Sequence, residues 1–254
     1  MNLELTETHQ MIRETARSFA EEKIAPGAVE RDEKEEFPYD IVKQMAELGF
    51  MGMMVPEEWG GAGLDTVSYV LAMEEISRVD ASCGVIMSVN NSLVCFGIEK
   101  YGTREQKERF LRDLATGRKL GAFALSEPEA GSDASNQHTL AVRDGDYYIL
   151  NGTKCFISNG PIAHLITVMA MTDPSKGFKG ISAFIVDCRT KGFSVGVVEK
   201  KLGIKASGTA ELILEDCRIP RENRLGEVGQ GFYIAMNTLD GGRIGIAAQA
   251  LGIA

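Results

Sequence analysis

The stretch HTLAVRDGDYYILNGTKCFIS, residues 138–158, carries two strong turn dipeptides, Asp144-Gly145 and Asn151-Gly152, between short runs rich in β-branched and aromatic residues. Those runs are His138–Arg143, Tyr147–Leu150 and Lys154–Ser158. Runs of the same kind follow outward at Gly121–Leu125, Leu165–Met171, Ile181–Val186 and Glu211–Glu215. Strands so closely spaced, with no helical segment between them, predict an antiparallel sandwich or barrel and not a parallel α/β sheet.

Upstream of residue 118 the period is helical. Thr6 can cap a helix carrying Met11, Ile12, Ala16, Phe19 and Ile24 on one side, stopped by Pro26-Gly27. The charged run Arg31–Glu36 reads as solvated. Pro38 can open a helix with Ile41, Val42, Met45 and Leu48 inward, ended by Gly49. Asp65 can cap a helix to Arg78 with Tyr69, Val70, Met73 and Ile76 inward. Ala81–Gly97 is apolar almost all round and reads as a buried central helix, short for a membrane span. Thr103 and Gln106 have capping-box spacing, with Gly117 beyond the helix they open. From Gly231 the helical period returns through Phe232, Ala235, Met236, Leu239, Arg243 and Ile246. The expected fold class is α+β: a helical domain over 1–118, a β-domain over 119–232, and over 233–254 the first helix of a further helical domain. That helix ends on the apolar QALGIA, so we expect a packing partner from more of the same chain or from another one. A helix docked fully on the first two domains is the alternative.

The chain has 254 residues, 44% hydrophobic and 25% charged, and a net charge of −9. These values exclude a disordered tail, a collagen-like fibre and a membrane channel. The acidic balance argues against nucleic acid or an anionic membrane as main partner, although a local cradle of backbone N–H groups can still bind phosphate. The cysteines, Cys83, Cys95, Cys155, Cys188 and Cys217, are odd in number with no C-x-x-C, and His9, His138 and His164 lie far apart. No zinc or disulfide framework is expected, and a reducing compartment suits the chain. MNLELTETHQ has no signal-peptide character, so the expected location is cytoplasmic.

One polar loop carries chemistry: FALSEPEAGSD, residues 123–133. A strand ends at Ser126, Pro128 turns the chain, and Gly131-Ser132-Asp133 offers free N–H groups and hydroxyls able to cradle a phosphate or diphosphate. On local chemistry alone an ordinary polar turn is the simpler reading. Gly60-Gly61-Ala62-Gly63 and Gly226–Gly231 do not follow a strand and open a helix in the G-x-G-x-x-G manner, which rejects a nicotinamide fingerprint.

With VPEEWGGAGLD (55–65), AMEEISRVDAS (72–82), LNGTKCFISNG (150–160), KLGIKASGTAEL (201–212), DCRIPRENRLGE (216–227) and TLDGGRIGIAAQALGIA (238–254), that loop resembles the acyl-CoA dehydrogenase family, most closely its short-chain (butyryl-CoA) branch. The resemblance covers the whole chain. It implies helical, β and helical domains, FAD as cofactor and an acyl-CoA thioester as substrate. The implied reaction is α,β-dehydrogenation as in fatty-acid β-oxidation: a carboxylate takes the α-proton, and hydride passes to flavin N5. Electrons then leave to an electron-transferring flavoprotein. The family also implies a homo-oligomer, a tetramer when intact.

Residue by residue, the resemblance assigns Phe123, Leu125, Ser126, Gly131 and Ser132 to the segment along the flavin. Ser126 falls near the isoalloxazine and Gly131-Ser132 near the diphosphate, with Ser132 also at the CoA portion. Phe156, Ile157 and Ser158 match a second flavin segment, with Ser158 near N5. Many relatives have Trp where Phe156 stands, so an aromatic wall remains without the indole N–H. Asp240, Gly241, Gly242 and Arg243 match the segment at the thioester ligand. Without the family, Ser126 would be a turn former, Phe156 a core residue, and Asp240 with Arg243 a surface ion pair. Glu127 and Glu129 invite a base role that the loop match assigns to neither. No metal ligand is implied. In the nearest relatives the catalytic glutamate lies in the C-terminal domain, which this chain lacks. In another branch it precedes the arginine matching Arg243, where Gly242 stands. The expected catalytic residue is therefore none within the chain, and the chain alone is expected to be inactive. Four readings follow: a dehydrogenase without its C-terminal part, a short protein completed by a partner chain, a non-catalytic flavin- or CoA-binding module, and an acyl-CoA oxidase.

Overall fold

A computed structural model describes residues 4–254. The helical part follows its cap chemistry. Thr6 opens α1 (Glu7–Phe19): its hydroxyl accepts from the His9 amide at 3.2 Å, and His9 Nδ1 accepts from the Thr6 amide at 3.3 Å. A histidine thus fills the reciprocal place in the capping box. Ala16 and Phe19 are buried, whereas Met11, one position off that stripe, is exposed, contrary to expectation. A π-helical turn, Ala20–Ile24, continues α1. The charged run expected in solvent is exposed from Glu33 to Glu36 and begins within α2 (Ala28–Lys34), whereas Arg31 turns inward to donate to the Ile24 carbonyl at 2.6 Å and to Asp80 at 3.1 Å. Its long stem lets it satisfy carbonyls left free where the preceding helix ends.

Helix α3 (Tyr39–Glu47) buries Ile41, Val42 and Met45; Leu48 falls past its last turn and is exposed. Asp65 accepts from the Ser68 amide at 2.8 Å and starts α4 (Thr66–Val79). Helix α5 (Ala81–Tyr101) is long and apolar enough to cross a membrane, but 78% of its most apolar window is buried inside the protein. Two asparagines at its centre explain why it belongs there. Asn90 donates to the carbonyls of Met51 (2.8 Å) and Leu114 (3.0 Å) and accepts from the Gly121 amide (3.0 Å). Asn91 donates to Phe50 (2.7 Å) and Met87 (2.9 Å) and accepts from Met53 (2.8 Å). These bonds satisfy both amides and tie α5 to the start of the β-domain. The helical run 104–115, α6, begins at the expected Thr103–Gln106 capping box.

The strands are β1 (Gly121–Ala124), β2 (Leu140–Asp144), β3 (Tyr147–Ser158), β4 (Leu165–Met171), β5 (Ile181–Asp187), β6 (Phe193–Val198), β7 (Thr209–Pro220) and β8 (Arg224–Leu225). They form one mostly antiparallel sheet in the order β6-β7-β3-β2-β4-β5-β8, with β1 paired to β4. β1 and β2 run parallel to β4, which the intervening excursion through β3 permits. Along β4 and β5 the side chains alternate between two cores. Leu165, Met169, Ala183 and Ile185 join the core shared with α5, while Ile166, Val168, Phe184 and Val186 fill the opposite face.

Asp144-Gly145 turns the chain as expected, with Gly145 at φ 57°. Asn151-Gly152 does not. It is a bulge inside β3, where the register against β7 shifts between Leu150 and Gly152. Asn151 pairs its side-chain amide with Asp216, donating at 3.2 Å and accepting from the Asp216 amide at 2.8 Å. A Cβ on Gly152 would lie 2.5 Å from Thr139 Oγ1, so β2 can approach closely only at a glycine. β6 and β8 went unanticipated, and β7 is longer than expected.

Helix α7 (Gly231–Ile253) docks on α4 and α5 through a stripe of small residues, Gly242, Gly245, Ala248 and Gly252. A Cβ on Gly245 would meet Tyr69 Oη at 2.4 Å, and one on Gly252 the Glu74 carbonyl at 2.3 Å. Tyr233, Ile244 and Leu251 along one border of that stripe, and Ile246 and Ile253 along the other, are exposed. The helix therefore has a docked face bordered on both sides by uncovered apolar side chains.

Candidate active site

The loop begins from a buried foundation. Phe123 and Leu125 lie in the core that also holds Val89 of α5, with Leu93 and Leu239 packed against it. Ser126 is half-buried, and its carbonyl accepts from the Cys155 amide at 3.0 Å. Glu127 and Ala130 then exchange amide and carbonyl, both at 3.1 Å, which closes the turn made by Pro128. Beyond it Gly131, Ser132 and Asp133 are exposed, and a Cβ on Gly131 would meet nothing within 4 Å.

Glu127 is buried and fully engaged by the protein. Its carboxylate accepts from the amides of His138 (2.6 Å) and Thr139 (3.1 Å) and from Lys154 Nζ (2.7 Å). Burial raises the pKa of Glu127, but Lys154 and these donors overcome it and hold the group below the ordinary carboxylate range. Burial pushes Lys154 the other way, below the ordinary lysine range, with Glu127 opposing. Glu129 is exposed on the turn.

The second segment is a bulge. Register against β7 shifts between Lys154 and Ile157, and Phe156 sits there at φ 57° with 68% of its surface exposed. A bulky residue held in the left-handed region is strained, and such strain gathers at ligand sites. Phe156 is therefore not core, whereas the Ile157 side chain is. Ser158 is half-buried. The hydroxyls of Ser126 and Ser158 meet no protein partner among the described residues. The exposed aromatic, the two uncommitted hydroxyls and the open Gly131-Ser132 turn fit a flat ring with an attached diphosphate.

The third segment lies on α7. Asp240 and Arg243 form an exposed ion pair at 2.5 Å. Gly242 is buried, and a Cβ there would lie 2.8 Å from Leu93 Cδ2; around Gly241 only the Ser92 carbonyl comes within 4.0 Å. Between α5 and α7 is a largely apolar cavity of about 310 Å³, lined by Ser88, Val89, Leu93, Leu239, Gly242, Arg243 and Ile246. No carboxylate lines it. The first two segments are cross-linked directly, and the third joins them through the core around Leu93 and Leu239. Among the described residues no His/Cys/Asp/Glu group could hold a metal ion.

Sequence reasoning passed over Lys154 and Gln137. The available signal was a lysine directly before the apolar Cys155-Phe156-Ile157, within a run expected to form a strand.

Known proteins resemble this chain along its whole length. The acyl-CoA dehydrogenase N-terminal domain matches residues 6–118, and the acyl-CoA dehydrogenase middle domain matches 122–217. Over the whole chain there is 52% identity to "Acyl-CoA dehydrogenase, short-chain specific" of Clostridium acetobutylicum, of which 67% is covered. The short-chain specific mitochondrial acyl-CoA dehydrogenase of Rattus norvegicus is 56% identical over 253 residues, all of this chain and 61% of that protein. A chain in the structure described as the electron transferring flavoprotein of Acidaminococcus fermentans superposes with a TM-score of 0.98 at 53% identity, over 99% of this chain and 66% of that one. The chain thus spans about three-fifths to two-thirds of the length of these relatives.

Proposed function

The chain belongs to the acyl-CoA dehydrogenase family, and from that premise we propose that it binds FAD and a short-chain acyl-CoA thioester for α,β-dehydrogenation, with electrons passing on to an electron-transferring flavoprotein. One observation carries the reading. The loop 123–133 and the bulge 154–158 present an exposed aromatic, two unpaired hydroxyls and an open glycine turn on one cross-linked frame. Bound FAD supplies the hydride acceptor. Ser126 and Ser158 would hydrogen-bond the flavin, Phe156 would form its aromatic wall, and Gly131-Ser132 would receive the diphosphate. The α5–α7 cavity, apolar with Arg243 at its wall, suits a short acyl chain whose CoA end is anionic. Names of relatives support the substrate class and, through the Acidaminococcus match, the electron acceptor. The uncovered apolar residues of α7 suit a homo-oligomeric contact.

A second reading rests on the cavity's lack of a carboxylate. The 254-residue chain by itself binds cofactor and thioester but does not abstract the α-proton, a step to which a positioned base contributes about 10²–10⁴-fold. Anaerobic mixing of FAD-loaded chain with butyryl-CoA tests this. We expect spectral perturbation of the flavin without bleaching. Bleaching at the rate of an intact relative would show that a base lies within these residues.

A further inference from the structure

Resting on the flavin reading, we propose that Lys154, with Glu127 as its counter-charge, is a positioning residue that sets the spacing between the two cofactor-facing segments. Lysine is seldom fully buried, because an ammonium leaves water at a cost of several kcal/mol unless its donors are paired. Here the Lys154 side chain is 0% exposed and that of Glu127 1%. The three donors of the ammonium meet three acceptors: the Leu125 carbonyl at 3.1 Å, Glu127 Oε1 at 2.7 Å and Gln137 Oε1 at 2.5 Å. Gln137 in turn donates to the same Leu125 carbonyl at 3.1 Å.

The geometry spans both segments. Lys154 holds the Leu125 carbonyl, and the next residue, Cys155, holds the Ser126 carbonyl. Phe156, Ile157 and Ser158 follow immediately. On the far side, Glu127 takes the amides of His138 and Thr139 and so fixes where the loop rejoins the sheet. A Cβ on Gly131 would meet nothing within 4 Å and Ser132 is exposed, so little packing from outside the loop places this turn between those two ends. An apolar pair of the same volume would avoid the desolvation cost of two buried charges, but it would leave the His138 and Thr139 amides without their acceptor and the Leu125 carbonyl without one of its donors. The polar pair is therefore read as fixing the geometry of the loop.

The decisive variant is Glu127→Leu/Lys154→Met, because Lys154→Met alone strands a buried carboxylate. Its readouts are amide hydrogen exchange at His138 and Thr139 without FAD, and FAD affinity by flavin fluorescence. We expect circular dichroism close to the parent's, with exchange faster and FAD binding weaker, each by about tenfold or more for the lost hydrogen bonds. Gln137→Leu, which removes one acceptor of Lys154 and the donor to the Leu125 and Ala134 carbonyls but no charge, is expected to show both effects at smaller size and serves if the double variant does not fold. Unchanged exchange overturns the inference whether or not flavin binds. Faster exchange with parental FAD affinity overturns it too, because the loop would be loosened without consequence at the site. A parent chain that binds no FAD counts instead against the flavin reading, and the exchange comparison still decides whether the pair sets the loop.

Discussion

The amide of Cys155 donates to the carbonyl of Ser126 at 3.0 Å, so the strand that carries Phe156 and the loop that carries Ser132 share an anchor at their root. A site built from two loops would lose precision with every independent motion; a bond at the root of both removes one.

Ser126→Ala and Ser158→Ala should each weaken FAD binding. Neither hydroxyl has a protein partner to lose, so the folded chain should keep its unfolding midpoint. One hydrogen bond to a polarised ring atom is worth about 1–2 kcal/mol, or roughly tenfold in affinity. Fluorescence titration and urea unfolding measure the two quantities, and parental affinity in both variants would reduce the hydroxyls to turn formers.

Phe156→Asn should separate stability from binding. Asparagine tolerates the left-handed conformation that Phe156 holds at φ 57°, and little buried contact is lost because the ring is 68% exposed. Relief of that strain is worth up to about 1 kcal/mol. We expect an unfolding midpoint equal to the parent's or higher, together with weaker FAD binding. A clear loss of stability would mean that the ring is structural.

The glycines of α7 should differ sharply. Gly245→Ala drives a methyl to 2.4 Å from Tyr69 Oη and 2.8 Å from Ser88 Oγ, overpacking that typically costs about 1–3 kcal/mol. Gly241→Ala meets only the Ser92 carbonyl at 4.0 Å and should gain about 0.5–1 kcal/mol of helix propensity. Equal shifts in urea midpoint would contradict the close docking of α7 on α4.

Asp65 links stability to acid. The Ser68 amide, and then His9, lower its pKa from 3.8 to about 2 in the folded chain. The folded state holds this proton less tightly than the unfolded one. The stabilisation is therefore complete above pH 3.8 and is lost as pH falls toward 2. Asp65→Ala should cost about 1 kcal/mol near neutrality through the lost cap and flatten the stability profile between those two pH values. A parallel profile in parent and variant would assign the acid sensitivity elsewhere.

Much of this was legible beforehand. Thr6, Asp65 and Thr103 announce their helices because capping is local chemistry, and Asp144-Gly145 announces its hairpin for the same reason. Asn151-Gly152 misleads because its conformational freedom serves a bulge as well as a turn, and only the Asp216 partner on β7 decides between them. β6, with Gly196 at its centre, is an edge strand that lacks a strong local pattern. The candidate site residues were named through the family resemblance, not through spacing. Glu127 and Lys154 are 27 residues apart, and nothing in either neighbourhood reveals their pairing. The exposure of Phe156 depends on a register shift that strand alternation cannot express.

The most direct test of the central claim is titration of the purified protein with FAD, followed by flavin fluorescence and absorbance, alongside the same titration with NAD. The expected result is saturable binding of one FAD per chain, abolished or weakened by changes at Ser126, Phe156 and Ser158, and no binding of NAD. A protein that takes up no flavin after reconstitution, or binds it equally well when all three residues are changed, would contradict the assignment of this loop and bulge as the cofactor site.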